Sequence, residues 1–348
     1  MRSSSSAWRA FRRGWARVLR APRLVAGTWL ATALSAIPAA IAVQSAIASQ
    51  LGRSLTAGRV ATSFDHGWWQ EFLAQATGPA TTLSPSIIGA AAPLSTWSNF
   101  LDDPGVPAVL LTAVVSGLLV WVFLTGGLVD RLARDRPVGT RAFFGACGVF
   151  FFRFLRLTVL AGLAYWLLAV PFHGLLFDRL YPWLTRDTSV ERTAFFWRVL
   201  IYIVWLVPVI MVNVVADYAK VRAVVEDRRS MIGAVVAAAR FLRRHGIAAV
   251  LVYGGNILVM ACALAVYAVF APGARGGGWH ALAAIAAGQA WIVTRIATRL
   301  AFLSSSTALV QQEMAHVEFT APPLPVWPDS PAAEGIDNAA RFGLRPQP

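Results

Sequence analysis

Lysine is almost missing from this chain, cysteine is scarce and charge is thin. Lys220 is the one lysine in 348 residues, which rules out a Ser-x-x-Lys nucleophile. The two cysteines, Cys147 and Cys262, fall before one apolar run and in the middle of another. At such different depths they make no disulfide framework, and both read as packing residues. Charged residues make up 14% of the chain against 57% hydrophobic, with a mean hydropathy of +0.58. That is too apolar for a soluble protein and too interrupted for one buried core. Also missing are Gly-x-x-x-x-Gly-Lys, His-Glu-x-x-His and Gly-x-Ser-x-Gly, so the expectation is a non-enzymatic protein with no cofactor and no bound metal.

What is present is length in apolar sequence. A hydrocarbon core about 30 Å thick takes roughly 20 apolar residues of helix. Six segments reach that, at 24–47, 106–129, 157–177, 193–215, 246–270 and 281–303. The fold class expected is therefore all-α, a polytopic membrane protein with six transmembrane helices. The net charge of +14 points to lipid rather than nucleic acid because of where it lies. Seven arginines precede the first run, six lie between the second and third, and seven basic residues lie between the fourth and fifth. The alternate loops are poorer or balanced by acids. By the positive-inside rule both termini are cytoplasmic. An arginine-rich start before an apolar run and Ala46-Ile47-Ala48 also resembles a signal peptide. The run exceeds the usual 7 to 15 residues, however, and the repeat described next makes it equivalent to later spans.

A short phrase recurs before three of the runs: Arg17-Val18-Leu19-Arg20, Arg153-Phe154-Leu155-Arg156 and Arg240-Phe241-Leu242-Arg243. A shift of 87 residues superposes Asp130 on Asp217 and Arg141 on Arg228 as well as the last two phrases. The six helices are thus expected as three repeated hairpins joined by amphipathic linkers lying in the membrane plane. In the third linker the apolar residues between Val221 and Leu242 recur at three- and four-residue spacing, which predicts one surface helix. The third unit has Ser304-Ser305-Ser306 where the others carry an aspartate. Residues 1–23 read as a basic amphipathic arm, 24–312 as the transmembrane domain, 48–105 as an external cap within it, and 313–348 as a disordered proline-rich tail. In the cap, Phe64, Trp68, Phe72 and Leu73 share a helical face behind Asp65 as N-cap, and Trp97, Phe100 and Leu101 mark a second short helix.

Three groups of residues are candidates for chemistry. Between Asp217 and Arg229 acids and bases alternate just after a span. Arg222, Arg228 and Arg229, with Arg240 and Arg243 beyond, offer donor forks for an anionic lipid headgroup. The competing reading is a structural ion-pair cluster of Asp217, Glu226 and Asp227, matched around Asp130 and Arg141, with the two aspartates in equivalent contacts. Inside the spans, Asn213, Asn256, Gln289, Arg295 and Arg299 are costly to bury in lipid. They either line a path or, for the arginines, reach the headgroups, and for the amides, bond between helices. Outside, Asp65, His66 and Glu71 are close in sequence but lie on different helical faces, and read as part of a cap rather than a metal site. His173 reads as a packed residue rather than a proton carrier.

The segments 217–222 (Asp-Tyr-Ala-Lys-Val-Arg), 226–230 (Glu-Asp-Arg-Arg-Ser) and 240–245 (Arg-Phe-Leu-Arg-Arg-His) resemble uncharacterised six-span bacterial inner-membrane proteins. These are similar to the membrane domain attached to some glycerophosphodiester phosphodiesterases. The resemblance covers the spans and linkers and no catalytic domain, so it implies a membrane module with a lipid connection and no phosphodiesterase activity. The function expected is a lipid-binding or envelope-scaffolding protein, in contact with anionic lipids and with a membrane partner protein or a second copy. The alternative is a transporter or permease subunit with Asn213, Asn256, Gln289 and Arg295 along its path.

Overall fold

A computed structural model describes residues 2–52, 54–63, 65–75, 108–135, 137–270 and 278–320. Among them there is no strand, and six helices are long and apolar enough to cross a membrane, so this is an all-α, multi-pass membrane protein. Its bundle lies within Met1–Gln311; of Gln312–Pro348 the described part is the end of the last helix. Phe64, Trp97, Phe100, Leu101 and the proline-rich sequence from 321 onward lie outside the described residues.

The first helix, α1 (Arg2–Leu19), is amphipathic by spacing: Ala7, Ala10, Gly14 and Val18 are buried while Arg9, Arg12 and Arg13 face outward. It stops because Pro22 disfavours helical geometry at the residue before it, and Ala21 sits at φ −122° and ψ 56°. Pro22 then opens α2 (Pro22–Leu51), where its lost N–H costs nothing. Two short helices follow, α3 (Ala57–Thr62) and α4 (His66–Gln75). Asp65 caps the second, accepting from the Trp68 N–H at 3.1 Å, and the Phe72 side chain behind it is fully buried against the rings of Trp68 and Trp69.

The next helix, α5 (Ala108–Arg134), packs extensively against α6 (Thr140–Leu167). Gly127 permits this approach, since a Cβ there would stand 2.6 Å from the Cys147 sulfur and 2.9 Å from the Phe143 carbonyl. Cys147 is buried at that crossing. Beyond Leu167 the chain widens into π-helical turns, Leu168–Phe172 and Leu175–Leu180, then continues as α7 (Tyr181–Thr185). Pro171 is the cause, because it has no N–H to continue the ladder. Trp205 steadies the widened turn, its indole donating to the Leu168 carbonyl at 2.9 Å. His173 lies in the same cluster, stacked on Phe177 and edge-on to Trp205, as a packed ring.

Helix α8 (Glu191–Val225) exposes Ile203, Val204, Leu206, Val207, Ile210 and Met211, the apolar surface a lipid-facing span requires. The predicted surface helix over 221–242 is not one helix. Residues up to 225 finish α8, and a turn containing Asp227 at φ 46° intervenes before α9 (Met231–Phe270) begins. Left-handed backbone at Asp227 ends the helical ladder, so the apolar periodicity is divided between two helices. Within α9 the buried face is Met231, Ala234, Ala237, Ala238 and Phe241, while Ile232 and Val236 are exposed. A kink at His245 then separates this first part from the span.

The last helix, α10 (Trp279–Thr320), extends past the expected tail boundary at 312. Its Ser304-Ser305-Ser306-Thr307 stretch is completely buried. Gly14 of α1 touches it so closely that a Cβ would stand 2.5 Å from the Ser305 hydroxyl and 2.6 Å from its backbone N.

Candidate functional site

The polar residues of the spans separate into two sets. Asn256 is fully buried and serves helix packing: it accepts from the Trp15 indole at 3.1 Å and donates to the Val252 carbonyl and the Ser305 hydroxyl. Gln289 likewise accepts from Trp29 at 2.9 Å, joining α2 to α10. These tryptophan partners were not foreseen, because pairs 241 and 260 residues apart leave no local signal.

The second set surrounds a recess of about 310 Å³ between α5, α8, α9 and α10. Helical spacing builds each wall. Asn213, Asp217 and Lys220 follow at intervals of four and three on α8, and Arg295 and Arg299 are one turn apart on α10. Trp121 of α5, Met260 of α9 and Phe302 of α10 supply the apolar lining. Asn213, Arg295 and Arg299 are exposed, so the recess opens at the surface of the bundle.

Asp217 is its only acid among the lining residues. One of its oxygens accepts from Lys220 Nζ at 2.8 Å and the other from the Tyr253 hydroxyl at 2.6 Å. The Arg299 guanidinium carbon stands over the Trp121 ring, 3.8 Å from its centre. Among the described residues, neither Arg295 nor Arg299 donates a hydrogen bond to a protein group or forms an ion pair. Three cations thus face one carboxylate that is already held. Trp121 and Tyr253 were missed at the sequence level because aromatic residues in spans are common and neither stands in a motif.

The arginines of the 217–229 segment are placed differently. Arg222 is spent on the protein: it donates to Glu226 Oε1 at 2.5 Å and to the Ala237 carbonyl at 2.7 Å, and covers Phe241. Arg228 is paired with the other Glu226 oxygen. Arg153 of α6 donates to Asp227 at 2.6 Å, which holds that carboxyl below its ordinary range. These bonds tie α6, the end of α8 and the start of α9 around the turn. Arg222 and Arg228 thus share one carboxylate, that of Glu226, and the trio keeps one net positive charge. Arg229, Arg240 and Arg243 are exposed and form no ion pair among the described residues.

Asp130 and Asp217 do not make equivalent contacts. Asp130 takes both of its bonds, each 2.9 Å, from Arg134 one turn along α5. The residue 87 positions after Arg134 is Val221, so Asp217 must find other donors. Arg141 is exposed on α6 and pairs with no acid among the described residues. A further link went unforeseen: Arg17 of α1 donates to Gln311 at 3.0 Å, and Gln311 donates to the Ala133 carbonyl at 2.9 Å, fastening α1 and α10 to α5. Burial lowers the Arg17 pKa from its ordinary value, and Asp135, 3.5 Å away, opposes that shift.

No group of three His, Cys, Asp or Glu side chains among the described residues is placed to hold a metal ion. Comparison with protein families, with curated proteins and with solved structures finds no match to this chain.

Proposed function

We propose that this protein is a lipid-binding or lipid-handling module of the bacterial inner membrane, with the recess bounded by Asn213, Asp217, Lys220, Arg295 and Arg299 as its headgroup site. One observation carries the reading: three cations with one acid, beside an apolar wall of Trp121, Met260 and Phe302. An amphiphile with an anionic head matches both halves of that surface. The position agrees with it. Asp217 falls just beyond the 193–215 apolar run and Arg299 near the end of the 281–303 run, and by the arginine distribution this is the cytoplasmic leaflet.

The exposed arginines Arg229, Arg240 and Arg243 lie on the segments next to that face and supply a diffuse attraction to anionic lipid, about 1 kcal/mol each. The resemblance to the membrane domain of glycerophosphodiester phosphodiesterases points toward lipid as well. Transport through the bundle is less well supported, since Asn256 and Gln289 are engaged by Trp15 and Trp29 and do not line the recess.

The test is to extract the protein with its surrounding bilayer and weigh what remains bound, against an unrelated six-span protein treated identically. Enrichment of an anionic lipid is the expected result. A lipid profile equal to the control, with a stoichiometric protein partner, would replace this reading with a scaffold or permease subunit.

A further inference from the structure

We propose that the recess selects a phosphomonoester, the doubly charged phosphate borne by a lipid phosphate or by its water-soluble counterpart. This rests on the lipid-binding reading above and narrows it to one charge class. Charge is the first argument. Lys220, Arg295 and Arg299 against Asp217 leave two positive charges, matching a monoester of nearly two negative charges rather than a diester of one.

Available donors are the second argument. Arg299 packs on Trp121, and among the described residues neither it nor Arg295 one turn away donates a hydrogen bond to a protein acceptor. Two planar forks suit the several oxygens of a terminal phosphate. Lys220 spends one of its three protons on Asp217 and keeps others. The Asn213 amide stands on the same wall.

The third argument excludes zwitterionic headgroups. A phosphoethanolamine or phosphocholine needs a counter-charge for its cation, and the one carboxylate lining the recess is Asp217. Each of its oxygens already accepts a hydrogen bond, from Lys220 and from Tyr253. A headgroup cation would meet a site with a net charge of two positives and a carboxylate already engaged. Size agrees as well: about 310 Å³ leaves room for a phosphate.

The experiment uses the full chain in phosphatidylcholine nanodiscs carrying, in turn and at equal mole fraction, phosphatidic acid, phosphatidylglycerol or phosphatidylethanolamine, read by native mass spectrometry. A second arm titrates glycerol 3-phosphate into nanodiscs of phosphatidylcholine alone. Phosphatidic acid should be retained above the other two, and Arg295→Gln or Arg299→Gln should lower that retention by roughly tenfold or more. Arg141→Gln, at an exposed arginine outside the recess, should leave the preference in place. Arg299→Lys, which keeps the charge and loses the fork, guards against mere unfolding: it should stay folded by thermal melting and bind at an intermediate level.

Glycerol 3-phosphate binding that depends on Arg299, without retention of any lipid, would support the phosphomonoester site and remove the lipid reading. Phosphatidic acid held no better than phosphatidylglycerol would overturn the proposal. So would lipid enrichment unchanged in both glutamine variants, although lipid handling itself would then stand.

Discussion

The guanidinium carbon of Arg299 stands 3.8 Å from the centre of the Trp121 ring, joining α10 to α5 across the recess. An arginine inside an apolar run is costly unless something offsets its charge, and here an aromatic face contributes alongside the charge of Asp217 across the recess. Among the described residues no carboxylate bonds directly to Arg299, so its donors remain available to a ligand. Asp217, the nearby acid, is bound instead to Lys220 and Tyr253.

Replacing Trp121 by Leu should keep the helix and free Arg299 to reorient. A cation–π contact is worth about 1 kcal/mol, so phosphomonoester retention should fall by roughly fivefold while the melting temperature changes little. Wild-type binding in this variant would separate the ring contact from ligand recognition.

The two glycines Gly14 and Gly145 should respond in opposite directions to alanine. A Cβ at Gly14 would collide with Ser305, forcing α1 from α10 at a cost of about 1–3 kcal/mol. At Gly145 nothing lies within 4 Å, and alanine should gain up to about 1 kcal/mol of helix propensity. Thermal unfolding in the same detergent reads both; equal effects would mean that α1 is not seated against Ser305.

Asn256→Leu should cost about 1–3 kcal/mol, because it strands the Trp15 indole N–H beside a buried position. Gln289→Leu removes a similar bond at an exposed site facing lipid and should cost less, about 0.6 kcal/mol. Denaturation curves for the two variants give the comparison, and a larger loss at Gln289 would reverse the assignment of which amide holds the core.

Arg153 holds the Asp227 carboxyl below its ordinary value near 3.8, so the folded chain favours the charged form. The contribution is complete above that value and is lost as pH falls through the depressed one. Asp227 is 73% exposed, so the effect is small and salt-sensitive. Asp227→Asn should be slightly less stable than wild type at neutral pH, and the gap should close in acid below about pH 3.8 or in high salt. A gap that stays constant as pH falls well below 3.8 would show that the charge of Asp227 is not what stabilises the turn, since Asn accepts the left-handed backbone as well as Asp.

Much of the fold was legible because its signals are local. Each of the six apolar runs falls on a long helix, and the arm before the first is amphipathic, as its three- and four-residue spacing implies. The linker over 221–242 was misread for a physical reason. Apolar periodicity carries through a tight turn unchanged, and only the backbone at Asp227 reveals the break. The repeat was visible as matching letters, yet Asp130 pairs with Arg134 within one helix while Asp217 reaches Tyr253 on another. Identical aspartates took different partners because the neighbouring residues differ.

The candidate site was half legible. Asn213, Arg295 and Arg299 stood out as polar groups in apolar runs, and the structure brings all three to one recess. Arg222 and Arg228 stood out equally, and in the structure they share the Glu226 carboxylate. Sequence alone determined the six helices long and apolar enough to cross a membrane and roughly where they lie, since a backbone in lipid must satisfy its own hydrogen bonds within each segment. Which arginines are spent and which stay open was decided only by tertiary structure. That outcome depends on helix crossings such as Gly14 on Ser305 and Trp121 on Arg299, contacts between residues far apart in the chain that no local pattern encodes.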